Sequence, residues 1–136
     1  EVMSAVRGSQ TFTNYCAPRP LQLGAAHALA HGDEWLEQIR DLYGRAGRAA
    51  ARSLGLPAPA GGAFLFFDAS AYLRLGESVR GLLERCLAAG VLLTPGASAG
   101  KHYESWIRLC FTTVSLDELE QALGRLRTVL VPASAE

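Results

Sequence analysis

Gly90-Val-Leu-Leu-Thr-Pro-Gly96, followed after three residues by Gly100-Lys-His-Tyr-Glu-Ser-Trp-Ile-Arg108-Leu-Cys-Phe111, reads as strand, Pro-Gly turn, loop and strand. The second strand is apolar apart from a single arginine. A guanidinium does not lose its proton in a protein, and burying it without a partner is costly. Its planar fork matches a carboxylate or phosphate through two parallel hydrogen bonds. Strand alternation sets Ile107, Leu109 and Phe111 on one face and Trp106, Arg108 and Cys110 on the other. One face can therefore join a core while Arg108 looks toward whatever lies over the opposite face.

The neighbouring segments supply the rest of a small layer. Glu77 to Ala89 carry Val79, Leu82, Leu83 and Cys86 at helical spacing, and Gly90 suits the left-handed position beyond the helix end. Val91–Leu93 and Trp106–Phe111 are expected strands. Ala63-Phe-Leu-Phe-Phe67 is apolar on both faces and is expected to be a central strand. It follows the Pro-Ala-Pro-Ala-Gly-Gly loop at 57–62, and residues 68–76 form a connection. Ser115-Leu-Asp-Glu118 is a capping box, and Leu116, Leu119, Leu123, Leu126 and Leu130 make the apolar stripe of the helix it opens. The tail from Pro132 to Glu136 is expected to fray.

Toward the N-terminus, residues 1–17 carry turn signals at Gly8-Ser9 and Asn14. A helix is expected from Pro18, with Pro20 in its first turn and Leu21, Ala25, Ala28 and Leu29 on one face, ending at Gly32. Asp33 can cap the next helix, where Trp35, Ile39, Leu42, Ala46 and Ala49 recur until about Ser53. Arg40, Arg45, Arg48 and Arg52 lie on its polar side, interleaved with Glu34, Glu37 and Asp41. A solvated face with i,i+4 ion pairs is the expected outcome. The order helix, helix, strand, helix, strand, strand, helix predicts an α+β fold: a short, largely antiparallel sheet of about three strands with helices packed on one face.

The chain has 136 residues, 49% of them hydrophobic and 19% charged, which suits one globular domain. Thirteen basic and thirteen acidic residues cancel, so nothing electrostatic argues for nucleic acid or an anionic membrane. No apolar run approaches a membrane span. Cys16, Cys86 and Cys110 are odd in number and scattered, so neither a disulfide framework nor a zinc site is expected. Reduced thiols fit a cytoplasmic setting. The start at Glu1 rather than methionine suggests a fragment or a processed chain.

Four motifs, taken in order, resemble the C-terminal part of the fold-type I, pyridoxal-phosphate-dependent aminotransferases of class I/II. Pro20-Leu-Gln22-Leu-Gly-Ala-Ala-His-Ala-Leu29 is similar to a helix start with proline and glutamine before an alanine-rich run. Gly61-Gly62-Ala-Phe64-Leu-Phe-Phe67-Asp68 resembles the Gly-Gly-x-Phe strand of the small domain. Gly90-Val-Leu-Leu-Thr-Pro95-Gly96 resembles the Gly-Val-x-x-x-Pro-Gly strand and turn. Ile107-Arg108-Leu-Cys-Phe111 resembles the strand whose arginine holds the substrate α-carboxylate.

The resemblance implies that residues 1–136 form the small domain of an aminotransferase, with Arg108 as the substrate-binding residue. It implies amino-group transfer between an amino acid and a 2-oxo acid, pyridoxal 5'-phosphate in the intact enzyme, and a homodimer. The loop containing Asn14 and Tyr15 would supply possible cross-subunit contacts. The cofactor-binding large domain, with its Schiff-base lysine, would lie upstream. Lys101 is the only lysine and matches none of the family's cofactor residues. No catalytic residue, bound cofactor or activity is therefore expected of this chain alone. A departure from the family pattern is Ser98-Ala99-Gly100, where Phe-Gly is usual. Decarboxylases, lyases and cyclising enzymes share the scaffold and are the rival readings, together with a non-catalytic α+β interaction module whose arginine pairs internally.

Two other patterns carry less. Gly96-Ala-Ser98-Ala-Gly100 has the form of a hydrolase nucleophile elbow, but a polar loop and a strand follow it where the elbow requires a helix. His27 and His31 are spaced i,i+4 as a metal pair would be, with no third ligand at a suitable spacing, so no metal is expected.

Overall fold

The computed structural model describes residues 1–132 and divides into two units, Glu1–Ile39 and Arg40–Glu136. The expected fraying of the tail concerns residues that, beyond Pro132, lie outside the described ones.

In the first unit, helices α1 (Val2–Thr13) and α2 (Arg19–His31) bury no residue. The turn expected at Gly8-Ser9 is corrected here, while the one expected at Asn14 is present. The chain stays helical through Gly8-Ser9, and the hydroxyls of Thr11 and Thr13 donate to the carbonyls of Arg7 and Ser9, one turn back, at 3.0 and 2.9 Å. Asn14 caps α1 with its backbone N–H on the Gln10 carbonyl, and Tyr15 follows at φ 57°. Pro20 lies in the first turn of α2, where its missing N–H has no partner to lose. The α2 stripe has the expected spacing, yet Leu21 and Leu29 are exposed. Helix α3 (Asp33–Leu54) begins one residue earlier than a cap at Asp33 would require: the Gly32 carbonyl accepts from the Leu36 N–H at 2.9 Å, so Asp33 is already helical.

The second unit holds the core. Strands β1 (Phe64–Asp68), β2 (Thr94–Pro95) and β3 (Trp106–Cys110) form an antiparallel sheet in the order β1-β3-β2. β3 is therefore central and β1 lies at an edge, which corrects the expected central position of the Phe64 strand. Both of its faces are apolar for a different reason, since Leu65 and Phe67 enter the core while Phe66 joins an aromatic group on the open side. Val91–Leu93 is also corrected. Val91 and Leu93 are buried, but ladder pairing is confined to Thr94 opposite Arg108 and Pro95 opposite Ile107.

The core lies on one face of the sheet. Leu65, Phe67, Ile107, Leu109 and Phe111 meet small residues of α3 (Ala46, Ala50 and Ala51), together with α4 (Val79–Ala88) and α5 (Leu116–Val129). Small residues let α3 approach closely. A Cβ on Gly47 would stand 3.1 Å from the Phe111 ring and 3.0 Å from Pro59. α4 is capped by Ser78, buries Leu82 and Cys86, and ends at Gly90 with φ 81°. There the Gly90 and Val91 N–H groups donate back to Leu87 and Cys86, a Schellman closure that only a left-handed residue permits at low cost. α5 opens on the expected capping box of Ser115 and Glu118 and buries Leu119, Leu123 and Leu126. The fold is α+β, and in the second unit α4, α5 and the later turns of α3 pack on one side of a three-stranded antiparallel sheet.

Candidate functional site

The other face of the sheet is open. Phe64, Phe66, Thr94, Trp106, Arg108 and Cys110 share it, as register and alternation require, and none of them is buried. Arg108 sits on the central strand, flanked by Phe66 on β1 and Thr94 on β2. It is exposed, and among the described residues it forms no ion pair. Its guanidinium carbon lies 4.5 Å from the centre of the Phe64 ring. At the opposite end of this face, Phe66, Tyr103 and Trp106 pack ring to ring at 5.0–5.5 Å between centroids. The arginine thus leans toward the Phe64–Cys110 end, with its N–H edge available to an anion.

The turn before β3 holds this face in register. Gly96 is buried, and a Cβ there would stand 2.6 Å from Trp106 Cβ and from the Trp106 and Tyr103 carbonyl oxygens. Only glycine fits, which gives the Pro-Gly motif a packing reason. Ser98 lies on a 3-10 turn (Gly96–Ala99) and donates its hydroxyl to the Pro95 carbonyl at 2.8 Å. A second 3-10 turn, Lys101–Tyr103, stands where an elbow would need its helix, so the hydrolase geometry is absent here. Cys110 is half-buried; burial pushes its thiol up, but hydrogen bonds with Thr112 and Thr113 and the Arg108 charge together outweigh this and bring it below the usual value.

The remaining sequence candidates lie elsewhere. Asn14 and Tyr15 follow α1 in the first unit, and Tyr15 is exposed in the left-handed region that non-glycine residues seldom adopt. His27 and His31 stack at 4.4 Å, and His31 Nδ1 sits 3.1 Å from the His27 carbonyl oxygen. No group of three metal-ligating side chains occurs among the described residues. A cleft of about 520 Å³ is lined by Arg40, Tyr43, Arg48, Gly61, Gly62 and Phe111 among others, and Arg108 takes no part in it. The i,i+4 pairing expected of the arginine helix is seen between Arg45 and Asp41 at 3.1 Å. Sequence reasoning missed Phe64 and Thr94 as neighbours of Arg108. Alternation could place Phe64 on a face, but only strand register brings it to the arginine.

The described residues do not make a cradle for pyridoxal phosphate. Lys101, the chain's sole lysine, is exposed on a single 3-10 turn. A Schiff-base lysine works from a site that shields it and holds the ring beside it.

No curated protein matches the chain. Among solved structures, it is similar to the aromatic aminotransferase of Pyrococcus horikoshii, at 27% identity and a TM-score of 0.74 over 90% of this chain and 34% of that one. A tetra mutant of the Thermus thermophilus aspartate aminotransferase aligns at 25% identity and a TM-score of 0.76, covering 94% and 36%. The α-aminoadipate aminotransferase of Thermus thermophilus, complexed with N-(5'-phosphopyridoxyl)-L-leucine, shares the fold at 24% identity and a TM-score of 0.78, covering 95% and 35%. The chain spans about a third of the length of the solved proteins it resembles. The sequence profile of "aminotransferase class I and II" matches residues 1–126, and the chain belongs to that family.

Proposed function

We propose that this chain is the C-terminal small domain of a pyridoxal-phosphate-dependent aminotransferase, and that Arg108 receives the α-carboxylate of an amino acid or 2-oxo acid. The observation that carries the reading is an exposed guanidinium on the central strand of an otherwise apolar ribbon, with no acidic partner among the described residues. A structural arginine on such a strand would be expected to pair with a nearby acid. Gripping the carboxylate in plane fixes the orientation of the substrate's α-carbon, which is how a binding group contributes to rate. In the intact enzyme the cofactor would supply the electron sink for amino-group transfer. The residues that hold the cofactor are proposed to belong to a large domain outside residues 1–136, and residues 1–136 by themselves are proposed to be inactive.

The uncovered apolar residues of the first unit fit the same reading. Val6, Phe12, Leu21, Leu29 and Trp35 are all exposed, and a large domain together with a second subunit would cover them. Asn14 and the strained Tyr15 are proposed to reach the neighbouring subunit of a homodimer. The three free thiols suit a reducing cytoplasm. No helix among the described residues is long and apolar enough to cross a membrane.

The test is Arg108→Ala in the cofactor-loaded enzyme. The expected loss is about 2–5 kcal/mol of carboxylate binding, appearing as a raised KM for the amino acid with cofactor loading unchanged. Unaltered KM, or a lost cofactor with unaltered KM, would remove Arg108 from the substrate site.

A further inference from the structure

We propose that Phe64 is a positioning residue for Arg108: its ring lies against the guanidinium and holds the N–H groups where a carboxylate must arrive. This rests on the carboxylate reading of Arg108 given above. The two side chains share the open face, on neighbouring strands but not directly opposite one another. Register pairs Phe64 with Cys110 and Arg108 with Phe66. Contact between them is therefore diagonal, a distance that an aromatic ring and a long side chain can span.

Arg108 has two aromatic directions available on this face. Toward β3's start stands the Phe66–Tyr103–Trp106 group, whose rings are already committed to one another. Toward its end stands Phe64, whose ring makes no ring–ring contact among the described residues and carries the guanidinium 4.5 Å over its centre. Without a support, an exposed arginine samples many rotamers, and each ligand must first collect it into one. A ring beneath the fork restricts that search. Cation–π stacking uses the π face, while a carboxylate uses the in-plane N–H groups, so the two contacts do not compete. Phe64 is 45% exposed on an edge strand, so its ring contributes less to the core than Leu65 or Phe67.

The experiment uses the cofactor-loaded enzyme and two probes of the same shape, 3-phenylpropanoate and the uncharged 3-phenylpropanamide, with affinities measured by calorimetry. Phe64→Leu removes the π face and keeps an apolar side chain, Phe64→Met is a second aliphatic variant, and Phe64→Tyr restores the ring. The expected result is a roughly 3- to 30-fold weaker Kd for the carboxylate in the aliphatic variants, no change for the amide, and wild-type behaviour in Phe64→Tyr. The KM for amino acid should rise by a similar factor with kcat nearly constant. Equal loss for carboxylate and amide, failure of Phe64→Tyr to restore affinity, or an aliphatic variant within twofold of wild type would each overturn the role. Arg108→Ala separates the two readings. If it costs carboxylate affinity and Phe64→Leu does not, only the Phe64 role falls; if it costs nothing, the carboxylate site falls and Phe64 with it.

Discussion

Arg85 on α4 grips Glu77 with both ends of its fork, Nε to Oε1 at 2.8 Å and Nη2 to Oε2 at 2.8 Å. The same guanidinium donates to the Val129 carbonyl at the end of α5 and to the Tyr72 carbonyl in the connection after β1. One side chain thus ties three segments together. The pair is mostly shielded, with 21% and 14% of the two side chains exposed, so solvent screens it less than a surface pair. Arg85→Ala is expected to cost roughly 2–4 kcal/mol, because it takes the opposing charge from a shielded carboxylate and a donor from each of two carbonyls. Urea denaturation of both proteins at pH 7 measures this.

The same contact sets an acid limit. Hydrogen bonds from Arg85 and from the Arg74 backbone N–H hold the Glu77 carboxyl down at about 2, against its usual 4.5. A carboxyl depressed in the folded state stabilises fully above its unfolded pKa, and that contribution fades as pH falls toward the folded value. The stability gap between wild type and Glu77→Gln should therefore be constant above about pH 5.5 and shrink steadily from there toward pH 2. A gap that does not change between pH 6 and pH 3 would mean that the carboxylate's charge is not what Arg85 holds.

Much of this fold was legible because single residues carried it. The capping box at Ser115 and Glu118, the leucine stripe of α5 and the left-handed Gly90 are local signals, and each appears where its local chemistry requires. The opposed faces of β3 were legible for the same reason. Strand order was not. Phe64 and Phe66 look like core residues in sequence, and only pairing with β3 places them on an open face at the sheet edge. α1 was missed because Gly8-Ser9 suggests a turn while no buried face supplies a contrary period. At the site, Arg108 could be singled out by its chemistry, but its stacking partner depends on a register that no local pattern encodes.

Gly96 offers a sharper test of the turn that precedes β3. A methyl group there would press on Trp106 Cβ and on two carbonyl oxygens at 2.6 Å, and backbone oxygens cannot swing aside as a side chain can. Gly96→Ala is expected to cost about 3 kcal/mol, at the upper end of overpacking effects. It should also separate Thr94 and Pro95 from β3, exposing the Arg108 amide, which faces β2, to hydrogen exchange, while the Ile107 amide, which faces β1, stays protected. A variant with wild-type stability and exchange would show that the turn can relocate freely.

The cysteines should label in an order set by burial. Cys86 lies in the core, and desolvation pushes its thiol above the usual value, so it should resist alkylation until the protein unfolds. Cys110 is half-buried on the open sheet face with its thiol below the usual value, and should react before Cys86 in the native chain. Mass spectrometry after timed iodoacetamide treatment reads the order directly. Cys86 reacting as fast as Cys110 without denaturant would contradict the packing of α4.

Ile107 and Arg108 are adjacent in sequence and opposite in consequence. Ile107 is fully buried at the centre of the sheet, so Ile107→Ala removes apolar contact on the helix side and leaves a cavity, at about 2–5 kcal/mol. Arg108 projects from the other face, exposed and with no ion pair among the described residues, so Arg108→Ala should change unfolding free energy by no more than about 0.5 kcal/mol. Paired denaturation curves settle the contrast. If Arg108→Ala destabilised the protein as much as Ile107→Ala, the arginine would be part of the structure's support and its availability to a ligand would be an illusion of the open face. If instead stability is kept while carboxylate affinity is lost, the alternation of a single strand has divided fold from function between neighbouring residues.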